Sequence, residues 1–380
     1  MNMRRFCVFL NLLFLLSLNG CGQGFQTISP GSFVLLPWPD ILGEYHFSWV
    51  QLKTLASPQK VSGPMAEVYW QQGNKDGGFS GQPARPHLVR QGRNWLTTDV
   101  PSMQALSVYA LFERLFAFDQ AMRINKRLIW PRRIGIDISI KTKNGSLLNN
   151  AIYDLDRDVI AVSRYDHDAA GLPTAVNHGI LAHEHFHAHF AAAFENKRNS
   201  LNSIVRANSE IGLINRFILS GWNEGLADFY AYVYTRDPQF MRLSFNDNTS
   251  LRSLLGPLMP LEEWQSLRRL VNCDPNCRPQ SGLSGLAYTN GTILARWLYR
   301  WSMRLSPQQG PALLLQEIMS QLPTILKSVN EKLDREPLRN SYFIKYFLQQ
   351  QSLPLPPESC AELNTELLQI EPVAFLRGCP

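Results

Sequence analysis

Apolar positions along the chain change period several times, and each change marks a change of element. Residues 6–18, "FCVFLNLLFLLSL", form an almost unbroken apolar run behind Arg4 and Arg5. That is the charged start and hydrophobic centre of a secretory signal, too short to cross a bilayer and stop there. Residues 23–101 are rich in Pro, Gly and Gln, with short apolar pieces such as "GSFVLLPWP" and "MAEVYW", and predict extended chain or small strands. Beyond Pro101, Leu106, Ala110, Leu111, Phe112, Leu115 and Phe118 recur near helical spacing. The period then drops to two: Ile134, Ile136, Ile138 and Ile140 alternate with smaller or polar residues, as in a half-buried strand. Asn144-Gly145 marks a turn, and "AIYD" and "VIAVS" flank the polar "LDRD" as two further strands. Pro173-Thr174 offers a helix start with Thr174 as N-cap, and the helix runs to about Glu195. From Leu201 to about Gln351 the chain reads as helical apart from residues 271–283. The expectation is an α+β fold, a small twisted sheet followed by a mostly helical C-terminal lobe.

One of these helices carries unusual chemistry. "GILAHEHFHAHFAAAF", residues 179–194, places four histidines in an otherwise apolar helix. His183, Glu184 and His187 fit H-E-x-x-H. Residues four apart are separated by about 400° of rotation, so His183 and His187 project from one face and can hold one zinc. Glu184 lies about 100° round from His183, where its carboxylate reaches a water beside the metal without occupying a ligand position. His185 points nearly opposite to His183 and is expected to be packed or solvated. His185 and His189 make a competing pair, but Phe186 stands where that register needs its glutamate. His178, further upstream, supports a ligand or does nothing.

A catalytic zinc takes three protein ligands and leaves a fourth position open. Glu224, 37 residues after His187 in "SGWNEGLADFYAYVY", is the candidate third ligand. Asp228 lies one turn on, placed to accept the remaining ring N–H of a ligand histidine. With H-E-x-x-H followed by N-E-x-x-x-D, the chain resembles the gluzincin metallopeptidases, the group that includes thermolysin, over roughly residues 102–300. The resemblance implies a zincin-like catalytic domain with one zinc per chain, held by His183, His187 and Glu224. It also implies Glu184 as general base, Asp228 behind a ligand, and an edge strand ending near "VIAVS" over the motif helix. Similar enzymes place a tyrosine hydroxyl at the oxyanion; here the candidate is Tyr288, after two glycines at the expected start of a helix, with Gly291 leaving room beside it.

The N-terminal run ends in Leu18-Asn19-Gly20-Cys21, which resembles a bacterial lipobox and implies acylation of Cys21; an ordinary secretory signal is the alternative. Gly22 is not the aspartate that often retains such proteins at the inner membrane, so the resemblance implies a lipid anchor in the outer membrane of a bacterial cell envelope. The expected organisation is a signal over 1–20, an extended region of undefined role over 21–101, the zincin-like part over 102–235 and a helical part over 236–380. Removing residues 1–20 takes away Arg4 and Arg5 and lowers the net charge from +6 to +4, too mild a balance to imply nucleic acid. In an exported chain the remaining cysteines, Cys273, Cys277, Cys360 and Cys379, suggest disulfides. The expected pairs are Cys360 with Cys379 and Cys273 with Cys277, with metal binding as the rival.

These readings converge on an exported zinc peptidase acting on a peptide or protein substrate. Two alternatives keep the same residues: a catalytically silent envelope binding or assembly protein on a zincin fold, and a zinc hydrolase of non-peptide bonds. An intact Glu184 argues against the first, because a structural zinc needs no base.

Overall fold

The computed structural model describes residues 31–56, 60–70, 81–124, 127–142, 145–166, 171–194, 209–245, 252–262, 266–268, 279–333 and 335–367. It is a mixed α/β structure with small mixed sheets and a helical C-terminal part. The chain divides into two compact units.

The first unit comprises Met1–Phe116, Ile129–Ile152 and Val159–Asn177. The segment expected to be extended chain or small strands supplies six short strands: β1 (Ser32–Pro39), β2 (Tyr45–Leu52), β3 (Ala66–Trp70), β4 (Gln82–Pro83), β5 (Leu88–Gln91) and β6 (Asn94–Thr97). β1 and β2 pair antiparallel, with Val34 opposite Val50, in a sheet of order β2-β1-β6-β5. Helix α1 (Val100–Met122) follows, with Val108, Tyr109 and Phe112 fully buried. Glu113 on α1 accepts the backbone N–H groups of Lys53 and Thr54, satisfying donors that β2 leaves behind.

The alternating isoleucines form β7 (Arg132–Ile138), with Ile134, Ile136 and Ile138 buried. Ile140 falls outside it. Asp137, inside β7, has φ 60° where the register against β11 (Val159–Ser163) shifts, and Ile140 begins β8 (Ile140–Thr142), which pairs with β9 (Gly145–Leu147). "AIYD" and "VIAVS" form β10 (Ala151–Asp154) and β11 (Val159–Ser163). The second sheet has order β10-β11-β7-β3-β4, with β11, β7 and β3 parallel. This corrects the expected edge: β11 is interior and buried at all five positions, as an unbroken apolar run requires, and β10 is the edge.

The second unit comprises Ala117–Leu128, Tyr153–Asp158 and His178–Pro380. Its helices are α2 (His178–Phe194), α3 (Glu210–Thr235), α4 (Pro279–Leu305), α5 (Gly310–Asn330), α6 (Asn340–Gln350) and α7 (Pro357–Glu362). The motif helix starts later than expected: Thr174–Val176 is a separate 3-10 turn, and Thr174 caps nothing. In α2 every residue from His178 to Phe190 is buried, the signature of a helix enclosed on all sides. Ser209 caps α3 by accepting the N–H of Gly212 at 3.1 Å.

Trp222, Trp297 and Trp301 anchor the core of this unit. Each indole N–H finds an acceptor, on Asn340, Ser359 and Pro354 respectively, as buried tryptophans must. No described helix is long and apolar enough to cross a membrane.

Candidate metal centre

The two ligand helices lie side by side in the second unit. Nε2 of His183 stands 3.1 Å from Nε2 of His187 and 3.2 Å from Oε2 of Glu224, and Nε2 of His187 is 3.7 Å from Oε1 of Glu224. Zinc bonds of about 2.0–2.1 Å in tetrahedral geometry separate neighbouring ligand atoms by about 3.3 Å. The two ring nitrogens and the nearer Glu224 oxygen to each thus stand 3.1–3.7 Å apart, around that spacing, and all three predicted ligands are brought together in a group that could hold a metal ion.

The hydrogen bonding behind the ligands fits the same purpose. Oδ1 of Asp228 is 2.9 Å from Nδ1 of His183. Asp228 is fully buried; it engages the Nδ1 side of His183, which leaves Nε2 as the ring nitrogen facing Glu224 and His187. The Asn223 side chain lies near His187 and favours its protonated ring.

Burial would lower the His183 pKa, but hydrogen bonds with Asp228 and Glu224 outweigh it and raise the imidazole to about 9. For His187 burial dominates and brings the ring down to about 4. Burial would raise the Glu224 carboxyl; the neighbouring His187, His183 and Arg252 outweigh it and hold it down to about 2. Burial pushes Glu184 up to about 8, against the pull of His183, with Glu224 adding to the rise. One guanidinium and one divalent cation would balance the carboxylates of Glu184, Glu224 and Asp228 when all three are ionised.

That guanidinium belongs to Arg252, which the sequence reading missed. Its Nε donates to Asp228 Oδ2 at 3.1 Å and its Nη2 to Asp228 Oδ1 and, at 3.2 Å, to Glu224 Oε2. Its only anticipatory signal was indirect: acids on an apolar helix face need partners.

Tyr288 reaches this site, although it stands inside α4 and not at its start. Its ring lies 5.0 Å below the Arg252 guanidinium, and it is 46% exposed. Glu224, then burial, pushes its hydroxyl up to about 12, so it is a donor at neutral pH. Tyr230, the other tyrosine worth considering, is committed elsewhere, donating to Asp119 at 2.6 Å. His185 and His189 also turn to Asp119, at 2.8 and 2.9 Å, and His178 is buried with its ring 6.4 Å from that of Tyr234.

Cys360 is buried on α7. Cys21, Cys273, Cys277 and Cys379 lie outside the described residues, and so do the expected anchor and pairings. The chain matches no protein-family model and no curated protein.

Proposed function

We propose that this protein is an exported, lipid-anchored zinc peptidase with a gluzincin-type site on a zincin-like fold. The observation that carries the reading is the convergence of His183 Nε2, His187 Nε2 and the Glu224 carboxylate at 3.1–3.7 Å from one another, with Glu184 Oε2 4.0 Å from His187 Nε2. A zinc ion bound there would polarise a carbonyl oxygen and acidify water.

The chain's own residues account for the rest. Glu184, buried beside His187, acts as a carboxylate that takes a proton from the attacking water and delivers it to the departing amine nitrogen. Asp228 holds His183 in the tautomer that presents Nε2. Arg252 offsets the carboxylates, and the Tyr288 hydroxyl donates toward negative charge developing on the carbonyl oxygen. Export and attachment through Cys21 rest on residues 1–21 alone, and the substrate is a peptide or protein in the envelope.

The test is cleavage of a peptide library by purified protein, with and without a chelator, alongside zinc content by mass spectrometry. Glu184→Gln should retain zinc and lose hydrolysis by about two to four powers of ten, whereas His187→Ala and Glu224→Ala should lose the metal. Full activity in Glu184→Gln would refute the mechanism.

A further inference from the structure

Asp119, near the end of α1, is fully buried and makes no part of the metal centre. Its Oδ2 receives Nε2 of His185 at 2.8 Å and Nε2 of His189 at 2.9 Å, and its Oδ1 receives the Tyr230 hydroxyl at 2.6 Å. His185 and His189 lie on α2, on the side opposite His183 and His187, and Tyr230 lies on α3, two residues beyond Asp228. One carboxylate thus grips both helices that supply the three ligands. The Tyr230 ring packs against Phe186 and against Phe118 beside Asp119, at 5.6 and 5.4 Å between centroids, so the hydroxyl is held on its acceptor.

Two His with a carboxylate are also a metal-ligating combination, and geometry separates the two uses. The separations of 2.8 and 2.9 Å are those of charge-assisted hydrogen bonds, both made to the single oxygen Oδ2, while Tyr230 occupies Oδ1. Burial works against the charge of Asp119, but His189 and His185 outweigh it and hold its carboxyl well below the usual range. An ionised carboxylate only accepts, so both histidines present Nε2–H to it and keep no lone pair there for a metal. His183 does the reverse, giving its Nδ1–H to Asp228.

We infer that Asp119, with His185, His189 and Tyr230, is a metal-free positioning network that sets the rotation of α2 and its spacing from α3, and thereby tunes zinc binding. The inference rests on the zinc reading above. Networks behind ligands typically change metal affinity by about 10- to 100-fold when broken.

The test uses the full chain. Zinc stoichiometry is measured by mass spectrometry, zinc affinity by chelator competition, and ligand geometry by the visible absorption of the cobalt-substituted protein. The unmodified protein should hold one zinc. Asp119→Asn should bind zinc about 10- to 100-fold more weakly, and Tyr230→Phe, which keeps the ring and is the milder change, about tenfold more weakly. Both should shift the cobalt bands. Tyr109→Phe removes a hydroxyl that meets Thr54 at 2.9 Å in the other unit, and should leave affinity and spectrum unchanged despite any loss of stability. A second zinc that disappears in Asp119→Asn would overturn the inference in favour of a metal site. So would zinc affinity and cobalt spectra unchanged in Tyr230→Phe and Asp119→Asn while the unmodified protein binds one zinc. Absence of zinc from the unmodified protein would instead remove the zinc reading, and this inference with it.

Discussion

Two glycines on α4, six residues apart, should respond in opposite directions to the same substitution. A Cβ on Gly291 would stand 2.7 Å from Glu224 Cβ, 2.8 Å from Gly225 N and 2.9 Å from Gly221 O. Non-bonded carbons settle at about 3.5–4.0 Å, so the helices would have to part by roughly 1 Å. None of these atoms is the far end of a flexible side chain. The cost of Gly291→Ala therefore falls near the upper end of the overpacking range, about 3 kcal/mol. Gain of helix propensity offsets about 1 kcal/mol of it. The net loss of about 2 kcal/mol corresponds to a melting temperature lower by about 4–8 °C in a unit of about two hundred residues. A Cβ on Gly285 meets nothing within 4 Å, so Gly285→Ala keeps only the propensity gain and should melt about 2–4 °C higher. Because the obstructed methyl presses on Glu224 itself, Gly291→Ala should also weaken zinc binding about tenfold. Calorimetry and chelator competition on the two variants check this. Gly291→Ala melting at or above the parent, with unchanged zinc affinity, would refute the argument that α3 and α4 meet backbone to backbone at the site.

Zinc binding should depend on pH with a definite sign. In the metal-free site His183 holds its proton up to about pH 9 and Glu184 up to about 8, both above their unfolded values. The folded metal-free chain thus binds more protons than the unfolded one between pH 6.5 and 9, and its stability falls across that window. Zinc affinity should rise about tenfold per unit from pH 7 to 9, as at least one proton leaves on binding; titration showing no pH dependence there would contradict the assignment. Tyr288→Phe should lower turnover by roughly one to three powers of ten with zinc content and fold intact, and unchanged turnover would return Tyr288 to the scaffold. Mass mapping of an unreduced digest should give Cys360 with Cys379 and Cys273 with Cys277, and any crosslink between the two pairs would refute that assignment.

What was legible in the sequence was whatever a helix fixes locally. His183, Glu184 and His187 follow from rotation about one axis, and Glu224 and Asp228 from one turn of another. Their convergence across α2 and α3 was an expectation from the motif pair, and the Nε2 separation of 3.1 Å and the Asp228 contact agree with it. Strand positions were equally local, because alternation and apolar runs report one face or two. "VIAVS" carried the mark of an interior strand, and the resemblance to a known order misassigned it to the edge.

Residues defined by distant partners were not legible. Arg252 sits in a stretch of no clear period and acquires its role only when Asp228 and Glu224 need a cation. Asp119 looks like one more polar residue on an amphipathic helix until His185, His189 and Tyr230 arrive from residues 66 to 111 positions away. The four histidines from His183 to His189 on α2 show the division most sharply. Spacing separates them into two i,i+4 pairs of identical chemistry, and no local rule beyond the neighbouring glutamate says which pair holds a metal. What differs is which ring nitrogen each carboxylate engages: Asp228 takes Nδ1 of His183 and leaves Nε2 toward Glu224 and His187, while Asp119 takes Nε2 of both His185 and His189. On the zinc reading, the ligating pair in this helix is therefore selected by the acid behind it, and that acid is contributed by another element of the fold.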